Sequence, residues 1–236
     1  MRVGAAAARD QNRPPSPASG TYRVATAVLA CGALALILSG CQITSGVQYV
    51  SHRSPDGVDL YFKVPTGWSV FDTKQVLEAQ NGRLGPTQLK QISGGEWLET
   101  MSPRPGVTAK SSLGIGRRYP TAFVQSRELG DTERDDLNFS AMRSEFLPTD
   151  PLTATSGYEV LNYNEFSLAG GIHGIKMIVN ITTTTPVVTW GQITAVDANT
   201  DYIFSIVVGC EASCWGENAG ALTNLLDSWT LKEQAP

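Results

Sequence analysis

The side chains in this 236-residue chain best suited to covalent or acid–base chemistry are few: four cysteines and two histidines. Cys210-Glu-Ala-Ser-Cys214 places two thiols in one very short loop. In a turn or a first helical turn that spacing brings the Cα atoms within about 7 Å, close enough for a disulfide. A redox-active pair is the alternative, although redox motifs usually separate their cysteines by two residues. Zinc would need four ligands, and His52 and His173 lie far from the pair in sequence, so no metal site is expected. His173, in Gly170-Gly-Ile-His-Gly174, could work in a Gly-rich hairpin but reads as an exposed turn residue. Glu159 and Glu165 could be imagined as an acid–base pair, but the pattern around them reads as the solvated face of a strand. There is no Gly-x-Ser-x-Gly elbow, Ser-x-x-Lys, Walker loop or His-Glu-x-x-His, and Gly114-Ile-Gly116 lacks the rest of a dinucleotide fingerprint. No catalytic residue and no cofactor is therefore expected. Trp68, Trp97, Trp190, Trp215 and Trp229 read as core, with room for one or two to line a ligand groove.

The remaining cysteines, Cys31 and Cys41, lie in an N-terminal stretch unlike the rest. Residues 1–23 carry Arg2, Arg9, Arg13 and Arg23 against one acid, Asp10, and an uncharged apolar run follows from Val24 to Leu38. A basic segment, a short apolar segment and small residues form the secretory signal pattern, and the run is short for a membrane span of about 20 residues. It ends in Leu38-Ser39-Gly40-Cys41, which resembles the bacterial lipobox: a Leu, two small residues and a Cys. The resemblance implies a diacylglyceryl group on the Cys41 thiol and cleavage between Gly40 and Cys41. It also implies an address at the cell membrane, anchored by lipid on the extracytoplasmic face. Two acyl chains anchor a protein stably where one does so only marginally.

Setting that segment aside leaves Cys210 and Cys214 as an even pair in an oxidising compartment. It also removes four basic residues and one acidic residue, leaving 14 against 21 and a net charge of −7. A domain so acidic is a poor match for nucleic acid or for anionic headgroups, so the expected membrane contact is the lipid itself. Three segments are expected: a signal peptide over 1–40, a polar tether over 41–57, and one globular domain over 58–234.

Within the domain, Val58–Val64 alternates as a half-buried strand stopped by Pro65. Asp72 is a candidate N-cap for a short helix to Gln80. Residues 86–101 read as a weaker helix, Thr121–Arg127 as a strand, and Asp131–Phe146 as one amphipathic helix with acids crowding its first turns. Four strands follow, 158–168, 174–184, 187–197 and 202–209, with connections short enough for antiparallel neighbours. Tyr202–Val208 is almost wholly apolar and is expected at the centre, covered on both faces. A helix over 217–228 closes the chain, with Leu222, Leu225, Leu226 and Trp229 at helical spacing. The expected class is α+β: an α/β/α sandwich with a central antiparallel sheet flanked by helices.

The Pro65-Thr-Gly67-Trp68 turn, the late four-strand meander and the ending Asp227-Ser-Trp-Thr-Leu-Lys232 resemble the Mog1/PsbP-like sandwich, which includes actinobacterial lipoproteins of the LpqN type. The resemblance spans roughly Val58 to Lys232. It implies the fold and a binding or accessory role, and it carries over no catalytic residue. The partners expected are the membrane, through the lipid, and a protein or a small apolar ligand. A carrier of an apolar molecule and an envelope enzyme of unrecognised type are the alternatives.

Overall fold

The computed structural model describes residues 46–55, 57–81, 85, 96–115 and 118–233. The signal segment, Gly40 and Cys41 lie outside them. The fold class is α+β, built on a seven-stranded antiparallel sheet. Its strands are β3 (Ser69–Phe71), β4 (Trp97–Ser102), β5 (Thr121–Glu128), β6 (Tyr158–Ser167), β7 (His173–Ile181), β8 (Val188–Val196) and β9 (Tyr202–Glu211), in the order β3-β4-β5-β9-β8-β7-β6. The meander β6 to β9 follows the expected boundaries closely. β9 lies at the centre between β5 and β8, and Tyr202–Cys210 is buried throughout.

Alternation along β9 gives the sheet two different faces. Phe204, Ile206 and Val208 point to a core shared with α4 (Ala212–Asp227), whose Leu222, Leu225 and Leu226 are buried as their spacing requires. Each such side chain contributes roughly 1.5–3 kcal/mol on burial. Gly191 on β8 makes this packing possible: a Cβ there would meet Leu226 Cδ1 at 2.7 Å and Trp215 Cη2 at 2.8 Å. The same core takes in Leu60, Phe62 and Val64 from a second, three-stranded antiparallel sheet. That sheet is ordered β1 (Val47–Arg53), β2 (Val58–Pro65), β10 (Thr230–Glu233).

The opposite face is covered by helices at two places. α1 (Thr73–Asn81) sits over β4, with Val76 and Leu77 against Leu98. Asp72 caps it as expected: its Oδ1 accepts the Gln75 N–H at 2.9 Å, while the Gln75 side chain accepts the Asp72 N–H at 3.0 Å. Over β7 and β8 lies α3 (Phe139–Ser144), whose Met142 packs with Ile175, Met177 and Val179.

Three expectations are corrected. The stretch 131–146 is not one helix. α2 (Asp131–Asp136) ends at Leu137, which takes an extended conformation, and Asn138 restarts the chain by accepting the Ala141 N–H at 3.0 Å. In the expected helix over 86–101, residues 97–102 form strand β4, buried along most of its length; residues 86–95 lie outside the described residues. The tether expected over 41–57 is strand from Val47 to Arg53, paired with β2 from Val47↔Pro65 to Arg53↔Asp59. Gly46 is held as well, its carbonyl accepting the Thr66 N–H at 2.9 Å. The domain therefore begins some ten residues before the expected boundary. Among the described residues no helix is long and apolar enough to cross a membrane.

Candidate functional site

Between the two helical covers, the face of the large sheet is left open over β5, β9 and β8. Its floor is Thr121 and Phe123 from β5, Val207 and Gly209 from β9, and Trp190 from β8. These residues share a face because side chains alternate along each strand, and three adjacent strands give a floor about 10 Å wide. The walls are Phe146, just after α3, and Leu113 and Ile115, just after a 3₁₀ turn at Lys110–Ser112. The cavity holds about 210 Å³. Phe146 packs edge-on to Phe123 at 5.6 Å between ring centroids and lies 6.4 Å from Trp190. The Trp190 indole N–H is occupied, donating to Gln192 Oε1 at 3.1 Å. Gln192 in turn donates to the Met142 carbonyl at 2.8 Å and to Thr194, which fixes α3 to the sheet and so fixes that wall.

The groove opens into a wider cavity of about 460 Å³, which shares Gly114, Ile115 and Thr121 with it. Ser102, Arg104, Ser111, Arg118 and Tyr119 line that mouth. Arg104 and Arg118 are exposed, and neither guanidinium forms an ion pair among the described residues. The arrangement is an apolar trough ending at two exposed cations, complementary to an apolar chain with an anionic head.

A second polar cluster has a structural role. Arg143, 8% exposed, donates through Nε and Nη2 to the two carboxylate oxygens of Asp150, each at 2.7 Å, and through Nη1 to Tyr163 Oη at 2.6 Å. Ser140 and the Leu152 N–H also donate to Asp150. The Arg143 guanidinium holds the Asp150 carboxyl down to about 2, with Ser140 and Leu152 helping against burial. Every group here is engaged, and the cluster ties α3 to the following loop and to β6. Elsewhere, Glu99 is pushed up to about 7, chiefly by burial, against a bond from Trp97 and with Asp72 adding to the rise. His52 stacks flat on Trp97 at 4.6 Å and is lowered by burial to about 4.

The residues singled out by sequence do not converge. Cys210 and Cys214 are joined, their Cα atoms 5.9 Å apart, where β9 turns into α4. His173 begins β7 and shares a hydrogen bond at 3.1 Å with the Gly171 carbonyl. Glu159 and Glu165 stand on one strand, six residues and so roughly 20 Å apart, too far for paired carboxylates. Glu159 accepts from Asn180 and Glu165 from Tyr163. Among the described residues no three His, Cys, Asp or Glu side chains are grouped so as to hold a metal ion. Trp190 does line the groove. Nothing in the sequence marks the arginines of the mouth: Arg104 sits among Pro, Gly and Ser residues whose composition announces only irregular structure, and Arg118 just beyond them.

No protein-family model matches the chain, and no curated protein does. The solved structures to which it is similar include LpqN of Mycobacterium tuberculosis, described as involved in cell envelope biogenesis. There the identity is 12%, the TM-score 0.42, and the coverage 79% of this chain and 91% of that one. They include the Saccharomyces cerevisiae Ran-binding protein Mog1p, at 10% identity and TM-score 0.42, covering 80% and 97%. A third is the cyanobacterial PsbP of Synechocystis, at 12% identity and TM-score 0.35, covering 83% and 99%.

Proposed function

We propose that this chain is an envelope lipoprotein, held by a diacylglyceryl group on Cys41, whose domain binds and does not transform its ligand. The ligand is a single acyl chain with an anionic head. The chain lies over β5, β9 and β8 against Phe123, Phe146 and Trp190, and the head meets Arg104 and Arg118. The observation that carries this reading is the continuity of the apolar trough with two exposed guanidiniums that form no ion pair among the described residues, on an otherwise acidic domain. A buried chain gains about 0.8 kcal/mol per methylene, and charge-assisted bonds to the head add direction.

The test is fluorescence titration with parinarate, a conjugated fatty acid that accepts energy from tryptophan. Parinarate should quench Trp190, and Trp190→Phe should remove most of that transfer. Thr121→Trp, which fills the point where both cavities meet, should abolish binding while leaving the thermal transition in place. Arg104→Ala with Arg118→Ala should weaken binding of the acid about tenfold per lost charge-assisted bond, with little effect on an uncharged acyl alcohol. Unchanged binding in Thr121→Trp would overturn the assignment of the groove.

A further inference from the structure

The strand found where a tether was expected changes how the domain can stand on a membrane. Val47 follows Cys41 by six residues, and a fully extended chain of that length spans no more than about 20 Å. From Gly46 onward the backbone is bonded into the fold, and the Gln48 side chain donates to the Trp68 carbonyl at 3.0 Å. An anchor on Cys41 therefore keeps β1 close to the lipid.

The outer face of the small sheet suits that position. Leu60, Phe62 and Val64 point inward and are buried, which turns the alternate residues outward. Val47, Tyr49 and Tyr61 are 46%, 72% and 40% exposed there. Tyr49 pairs with Lys63, whose Nζ lies 5.9 Å from the Tyr49 ring centroid. Arg53 and Lys232 flank Asp59 on either side. Three cations thus face one carboxylate on a domain whose charge beyond residue 40 is −7. Tyrosine, apolar in the ring and polar at the hydroxyl, belongs at the headgroup layer, and basic residues are drawn to an anionic leaflet.

We propose that this outer face of β1, β2 and β10 rests on the anionic headgroups of the membrane that carries the Cys41 anchor. The proposal rests on lipidation of Cys41 and is independent of what the groove binds. It makes the small sheet an orienting surface and the lipid the holding one.

The test uses the lipidated full chain in phosphatidylethanolamine–phosphatidylglycerol vesicles at low protein density. A dye is attached through Ser51→Cys, an exposed position opposite Tyr61 that keeps both tyrosines. The control is Thr153→Cys, in the loop after Asp150 beyond the other face of the large sheet. A lipid-borne quencher should suppress the dye at 51 several-fold more than at 153, and aqueous iodide should do the reverse. Lys63→Glu with Lys232→Glu should return position 51 to the behaviour of 153. Equal iodide access at both positions would overturn the proposal, as would no response to the charge reversal. So would protection at 51 without lipid quenching, which would mean that a protein covers the face. Failure of the protein to float with the vesicles would instead overturn the anchor.

Discussion

Asp150→Ala is expected to cost about 3–5 kcal/mol of stability, the usual effect of breaking a buried ion pair and leaving one charge uncompensated. Arg143 is 8% exposed, and Asp150 engages two of its nitrogens. With the carboxylate gone, the guanidinium keeps Tyr163, through a hydrogen bond of 2.6 Å and a cation–π contact of 5.2 Å, and the more exposed Glu165 carboxylate at 3.9 Å. In a domain of this size, 1 kcal/mol moves Tm by about 2–4 °C, so a fall of roughly 6–20 °C should be visible by circular dichroism. Replacing both partners with apolar residues, Arg143→Met with Asp150→Leu, should cost much less, because no charge is stranded. A loss below about 1 kcal/mol in Asp150→Ala would show that the pair is not buried in solution.

The pair also sets an acid limb. The folded pKa of Asp150, about 2, lies below its ordinary value of 3.8. The stabilisation is therefore complete above the unfolded value and is lost as pH falls through 3.8 towards 2. That window is worth about 2 kcal/mol. Urea midpoints measured from pH 6 to pH 2.5 should fall in the wild type, and this component of the fall should vanish in Asp150→Ala.

The second large effect concerns the anchor. With residues 1–40 replaced by a leader whose cleavage does not depend on Cys41, Cys41→Ala should move the protein from the membrane fraction to the soluble one. A single myristoyl chain binds membranes with a constant of only about 10⁴ M⁻¹, whereas two chains anchor stably. The outer face of the small sheet, with two tyrosines and an excess of two positive charges, can orient the domain but cannot replace that energy. Intact mass of the unaltered protein should show that residues 1–40 are missing and that diacylglycerol is present on Cys41. A Cys41→Ala protein that stayed in the membrane fraction would contradict the lipid anchor.

Where one element's own pattern decided its structure, the sequence was readable. The alternation of Val58–Val64, the apolar run of Tyr202–Val208 and the leucine stripe of α4 each state which face is buried, and the structure follows them. β1 was missed because its inward residues, Gln48, Val50 and His52, are only half-buried, so hydrophobicity did not mark the strand. The signal was present nonetheless. Pro55-Asp-Gly57 is turn chemistry, Gly57 has φ of +89°, and the segment joins two strands as a hairpin does. β4 carries no strand signature in sequence, because Trp97–Ser102 is buried on both faces and shows no alternation. The groove was less legible still. It is a gap between two covers, so no single stretch encodes it; only the cross-strand register sets Phe123 beside Val207 and Trp190 beside Gly209 on one face.

The most direct measurement of ligand binding in the groove is native mass spectrometry of the lipidated protein, extracted gently from its own membrane. A bound species is expected, one per protein, whose mass on release is that of an acyl chain with an acidic head and which is absent from Thr121→Trp. A clean unliganded mass, or an adduct that survives Thr121→Trp unchanged, would contradict it.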